Sequence, residues 1–239
     1  MSEHRARIGY TAVAYVTELL PKYFYEMVPE GVTMAMLTLQ IKSHTKDSLE
    51  DLYQQGLKAA ECFVRAGADV IILGGAPTNI SHGEENLKIV LGELEQKFGI
   101  PVSSSAWAQG NALKAVGAKK VGTINPAVPR KIGDSAAGSI SDGMELVARR
   151  HANAALEDYN RIPESKALEL GRDLVAEHPD VDTLIFGCPH WATVGVIEPL
   201  EQEFGVNVVT ALQAIVWEGL RKAGIDDKID GYGRLMREH

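Results

Sequence analysis

The chain holds two thiols, Cys62 and Cys188, and their settings differ. Cys188 stands in Gly187-Cys188-Pro189-His190-Trp191, directly after the run Asp182 to Phe186 and ahead of a helical pattern that opens near Thr193. A helix N-terminus presents unpaired N–H groups and partial positive charge, a setting that activates thiols and stabilises carboxylate or enolate oxygens. Cys188 is therefore the candidate proton carrier. His190, two positions on, can exchange a proton with it or order the loop. Trp191 reads as a packing residue, and Cys62, inside Ala59-Ala60-Glu61-Cys62-Phe63-Val64, as a buried small hydrophobe.

A second loop, Gly74-Gly75-Ala76-Pro77-Thr78-Asn79-Ile80-Ser81, follows the run Asp69 to Leu73. Its glycines permit close backbone approach, which suits donation of N–H groups to an anion. The candidate substrate-binding set is Gly74, Gly75, Ala76, Thr78, Asn79, Thr123, Asn125 and Pro189, with Ser81 a further hydroxyl in the loop. Neither a dinucleotide fingerprint nor a P-loop occurs, and the cysteines lack zinc spacing. No cofactor and no metal are expected.

These loops need a scaffold. Short apolar runs alternate with amphipathic stretches across 239 residues, the pattern of strands joined by helices in a parallel sheet. Strands are expected at Arg7 to Tyr10, Val32 to Thr38, Asp69 to Leu73, Pro101 to Ser104, Lys120 to Thr123, Asp182 to Phe186 and Val206 to Thr210. Helices are expected at Ser48 to Ala66, Asn86 to Phe98, Ala106 to Val116, Glu164 to Glu177 and Thr193 to Phe204. A net charge of −8 without a basic cluster argues against nucleic acid. No apolar run reaches the ~18 residues of a membrane span. Two thiols without a disulfide framework, and no signal core after the basic start, give a cytoplasmic reading.

The chain also repeats itself. Leu94-Glu95-Gln96-Lys97-Phe98-Gly99 recurs as Leu200-Glu201-Gln202-Glu203-Phe204-Gly205, an offset of 106. Asp69 to Gly75 echoes Asp182 to Cys188, and Arg7-Ile8-Gly9 echoes Lys120-Val121-Gly122, both at an offset of 113. The expected fold is α/β: two similar Rossmann-like half-domains, each with a parallel sheet, related by a pseudo-twofold axis. The halves are drawn at 1–115 and 116–225, with a tail, 226–239, packing back on the body and its helix able to cross to the first half. The seven-residue difference in offset is assigned to the loop Ser81 to Glu85. Ligands of open parallel sheets bind at the carboxyl ends of strands, which puts the active site in the cleft between the halves.

Gly187-Cys188-Pro189-His190 resembles the second cysteine loop of the aspartate/glutamate racemase superfamily, and Gly231-Tyr232-Gly233-Arg234-Leu235 resembles the ending of its maleate isomerase and arylmalonate decarboxylase members. The resemblance spans essentially the whole chain. It implies a first-half cysteine facing the second, yet the repeat puts Gly75 opposite Cys188, or Gly74 if the register slips by one. Two-base racemisation and isomerisation by a first-loop nucleophile thus lose their apparatus. The arylmalonate decarboxylases likewise keep only the second cysteine. They carry hydroxyl residues after their glycine and an aromatic hydroxyl after the second half's first strand; here Ala76, Pro77 and Asn125 stand instead.

What the resemblance implies is decarboxylation of a malonate-type acid. Loss of CO2 leaves an enediolate held by preorganised donors, and Cys188 protonates it from one side. The implied partner is a small carboxylate or dicarboxylate, with a homo-oligomer possible. Alternative readings are a maleate-type cis-trans isomerase, an amino-acid or hydantoin racemase, and a non-catalytic carboxylate-binding protein.

Overall fold

A computed structural model describes residues 4–15, 17–43, 45–129, 140 and 143–239. The first half runs β1 (Ala6–Val13), α1 (Leu19–Met27), β2 (Val32–Leu39), α2 (Lys46–Arg65), β3 (Val70–Leu73), α3 (Ala76–Asn79), α4 (Glu84–Phe98), β4 (Val102–Ser104) and α5 (Ser105–Ala115). The second runs β5 (Lys120–Ala127), β6 (Glu145–Ala154), α6 (Glu164–Glu177), β7 (Thr183–Phe186), α7 (Ile197–Phe204), β8 (Asn207–Thr210), α8 (Ala211–Lys222) and a final α9 (Gly233–Glu238). Single 3-10 stretches, Leu156–Arg161 and Val194–Val196, precede α6 and α7. Two four-stranded parallel sheets result, ordered β2-β1-β3-β4 and β6-β5-β7-β8. The same order in both halves is the expected duplicated α/β fold.

The sequence echoes have a structural cause. Asp69 accepts from Arg7 N at 2.7 Å, and Asp182 from Lys120 N at 2.9 Å, so each aspartate pins the start of the neighbouring central strand. Glu95 accepts from Val102 N at 3.0 Å and Glu201 from Val208 N at 3.2 Å, tying each helix to the strand that follows it. Ser104 and Thr210 then cap α5 and α8. The repeats are joints of the scaffold.

The two halves interlock. α5 and α8 pack on each other, and Ala108, Ala112 and Leu113 share one apolar core with Val121, Leu184 and Val208. Gly219 of α8 lies so near the first sheet that a Cβ there would come 2.8 Å from Ile8 Cδ1. Buried Glu218 of α8 accepts from Ser103 Oγ at 2.7 Å and Asn111 Nδ2 at 3.1 Å. Beyond α8, Tyr232 donates to Glu26 O at 3.0 Å and Asp227 pairs with Arg5 at 2.7 Å.

Two expectations are corrected, and two elements are new. The seven extra residues lie not between Ser81 and Glu85 but in α4, which has 15 residues against 8 in α7, while residues 74–83 and 187–196 are equal in length. Cys62 is exposed rather than core. The buried stripe of α2 is Leu49, Leu52, Tyr53, Gly56, Ala59, Ala60 and Phe63, and Cys62 falls off it, two residues or about 200° beyond Ala60. Strand β6 and helix α1 go unforeseen. β6 is an edge strand carrying Glu145, Arg149 and Arg150, with only Ala148 buried, so its apolar alternation is weak.

Candidate active site

One cleft lies where the carboxyl ends of both sheets meet, enclosing about 1070 Å³ of empty space with open solvent at its mouth included. The first half contributes the end of β1 at Val13, the turn Gly75 to Thr78 after β3, and Ser105 and Gln109 of α5. The second contributes Asn125 to Val128 at the end of β5 and Gly187 to His190 after β7. His151, Leu156 and Tyr159 close one side. Among the described residues neither lysine nor arginine lines it.

Cys188 is half-buried on this wall, in a loop that starts with Gly187 N donating to Ile124 O at 3.0 Å. Trp191 anchors the loop from behind: fully buried, it packs edge-on against Phe186 with ring centroids 6.2 Å apart. The helix expected near Thr193 begins as a 3-10 turn at Val194, and α7 proper starts at Ile197. His190 reaches across to the other half, hydrogen-bonded to the Val13 backbone. Burial lowers its pKa to about 4 against the pull of that bond, so its imidazole is neutral at neutral pH.

The opposite turn holds Gly75 in a left-handed conformation, φ 79°, as N-cap of α3. Gly74 lies too close to Thr11 for any side chain, its ideal Cβ falling 1.7 Å from Thr11 O, and its N–H is used on Thr11 Oγ1 at 2.7 Å. Asn79 donates to Gly74 O at 3.3 Å. Gly75, Ala76, Thr78, Asn125, Cys188, Pro189 and His190 thus come together on the cleft wall, whereas Gly74, Asn79 and Thr123 lie behind it. Ser81 is also off the lining and donates to Thr78 O at 2.8 Å.

Sequence reading missed Tyr10, Ser105 and Gln109, each about 99% or 98% buried. Tyr10 sits inside β1 beside Ser105, and burial drives its pKa well above the ordinary phenol range, leaving it a hydroxyl donor. The polar run Ser103-Ser104-Ser105 at the end of a strand was the available signal. Among the described residues no group of histidine, cysteine and acidic side chains is placed to hold a metal ion.

Fold and site define a two-lobed α/β protein with a cysteine in the cleft between duplicated halves. The arylmalonate decarboxylase family pattern matches residues 13–236, and the chain belongs to that family. Arylmalonate decarboxylase of Bordetella bronchiseptica is 23% identical over 203 residues, 84% of each chain. Maleate isomerase of Nocardia farcinica is 26% identical over 140 residues, 57% of this chain and 55% of that one. A liganded double mutant of arylmalonate decarboxylase superposes with a TM-score of 0.84 at 22% identity, covering 98% of this chain and all of the other. A Nocardia farcinica maleate cis-trans isomerase with a covalently bound succinylcysteine intermediate gives 0.83 at 20%, covering 98% and 99%. These relatives are enzymes. No helix among the described residues is long and apolar enough to cross a membrane.

Proposed function

We propose that this chain is a cofactor-independent enzyme that decarboxylates a malonate-type acid, with Cys188 as the single proton donor. The observation that carries the reading is the one-sided cleft: Cys188 lines it, while the equivalent place in the first half is Gly75. The other cysteine, Cys62, is on the outer face of α2.

In this reading the bond to the departing carboxylate breaks and its electron pair passes into the enediolate of the remaining acid. The carboxamide of Asn125 and the backbone N–H groups of Gly75 and Ala76 hold the growing charge; Pro77 has none to add. Cys188 Sγ–H then protonates the carbon, and the thiolate regains its proton from solvent, with neutral His190 ordering the loop through its bond to Val13. The cleft's apolar portion, Val13, Ile41, Leu156 and Val128, disfavours the departing charge. Free thiols suit the cytoplasm, where we place the protein.

The second reading, a maleate-type isomerase, is favoured by the Nocardia relative and needs Cys188 to add to a double bond. CO2 release, solvent deuterium incorporation and fumarate formation across malonates, maleate and amino acids separate the two. CO2 release lost in Cys188→Ala supports decarboxylation; fumarate from maleate without CO2 supports isomerisation. No turnover anywhere on the panel overturns both.

A further inference from the structure

The cleft floor gathers polar atoms without partners. Thr78, Ser105 and Gln109 line it, the three residues are 1–3% exposed, and their buried Oγ1, Oγ and Oε1 atoms have no partner in hydrogen-bonding geometry. Tyr10 Oη, equally without a partner in hydrogen-bonding geometry, lies behind Ser105. Buried polar atoms left unmatched are costly, and a cluster of them at a cleft marks the place of an absent polar group.

The duplication argues that the scaffold does not require this polarity. By the offsets of 113 and 106, Thr78 corresponds to Trp191, Ser105 to Ala211 and Gln109 to Ile215. The second half builds the same joint from buried side chains of which only Trp191 carries a polar atom, its Nε1. Hydroxyl and carboxamide groups stand here in the first half alone.

The chemistry of the floor is specific. Ser105 and Gln109 are one turn apart on α5, and α3, which carries Thr78, packs against that helix. Gln109 Nε2 donates to Ser105 O at 3.0 Å, which fixes the amide and leaves Oε1 purely an acceptor. Thr78 Oγ1 and Ser105 Oγ, the latter beside Tyr10, can donate, and Gln109 Oε1 can accept.

Resting on the reading of a carboxylate substrate, we propose that this floor binds a carboxylate carrying an adjacent hydroxyl or amine, rather than an aryl-substituted acid. Thr78 and Ser105 donate to the carboxylate, Gln109 Oε1 accepts from the substituent, and Tyr10 positions Ser105. An apolar substituent leaves Gln109 Oε1 desolvated and unmatched, which is worth about tenfold or more in affinity.

The test is calorimetric titration of the wild type, and of the Cys188→Ala variant so that turnover does not interfere, with hydroxymalonate and its near-isostere methylmalonate. Hydroxymalonate is expected to bind about tenfold more tightly, Gln109→Met to erase the difference, and Ser105→Ala or Thr78→Val to weaken both acids about tenfold. Removing an unpartnered hydroxyl leaves folding intact, which a thermal melt checks; should a variant fail to fold, the wild-type ratio decides alone. Equal binding of the two acids, no binding of either, or folded hydroxyl variants with unchanged affinity overturns the proposal. Binding scores the floor whether or not CO2 is released: turnover with a preference for aryl or alkyl malonates sinks this inference and spares decarboxylation, whereas selective binding without any turnover does the reverse.

Discussion

Gly75 holds in the first half the place that Cys188 holds in the second, two residues past the end of the strand, and a Cβ there would come 2.7 Å from Val13 Cγ2. Its φ of 79° is one that side chains rarely adopt. The missing second thiol is therefore built into the turn. Gly75→Cys is expected to destabilise the fold by about 1–3 kcal/mol through strain and contact with Val13. Urea unfolding with an unchanged slope and a lowered midpoint is the expected record; a stable variant would mean that the turn relaxes readily and can host a second thiol.

Cys188 supports a sharper kinetic prediction. If it delivers the proton, Cys188→Ala lowers kcat for CO2 release by about 10²–10⁴-fold, with KM within a few-fold of wild type. Half-buried on the cleft wall, the thiol contributes little to packing, so the melting temperature should stay within about 2 °C. Loss of activity with an unfolded variant, or retained activity, removes Cys188 from the chemistry.

His190 makes stability depend on pH. Its folded pKa of about 4 lies below the unfolded value of 6.5, so between these limits the unfolded chain binds the extra proton. The contribution is present above pH 6.5 and is lost as pH falls through the folded value, by at most about 3 kcal/mol for 2.5 units. Urea midpoints at pH 7, 6, 5 and 4 should fall more steeply in wild type than in His190→Asn. Parallel curves would show that His190 is charged as readily in the fold as outside it.

How much of this was readable depends on where each element sits. The runs at β3 and β7 are buried on both faces, Val70 to Leu73 and Thr183 to Phe186, and such strands announce themselves as continuous apolar residues. β6 borders solvent and carries charge, so its alternation is diluted. The Cys188 loop is legible because its chemistry is contiguous in sequence. Tyr10, Thr78, Ser105 and Gln109 come from three separate elements, and only folding brings them together. Motif reading found Cys188 and Thr78, which stand in loop motifs, and missed Tyr10, Ser105 and Gln109 for that reason.

The Leu-Glu-Gln echo yields the last prediction, because its two glutamates do the same job at different depths. Glu201 is 7% exposed and accepts from Val208 N at 3.2 Å and Arg234 N at 3.0 Å; burial raises its pKa, and those two backbone bonds oppose the rise. Glu95 makes one equivalent backbone bond, to Val102 N, pairs with Lys222 at 3.6 Å at the surface and is half-buried. Glu201→Ala strands two backbone donors under α9 and should cost about 2–3 kcal/mol, while Glu95→Ala lets water reach its one donor and should cost about 1 kcal/mol or less. Glu201→Gln keeps an acceptor at that position and should recover most of the loss. Neither glutamate lines the cleft, so kcat per folded molecule stays unchanged in all three variants. Equal losses at the two sites would mean that burial does not set the worth of this joint, and a fall in kcat at constant stability would connect Glu201 to the chemistry instead of the frame.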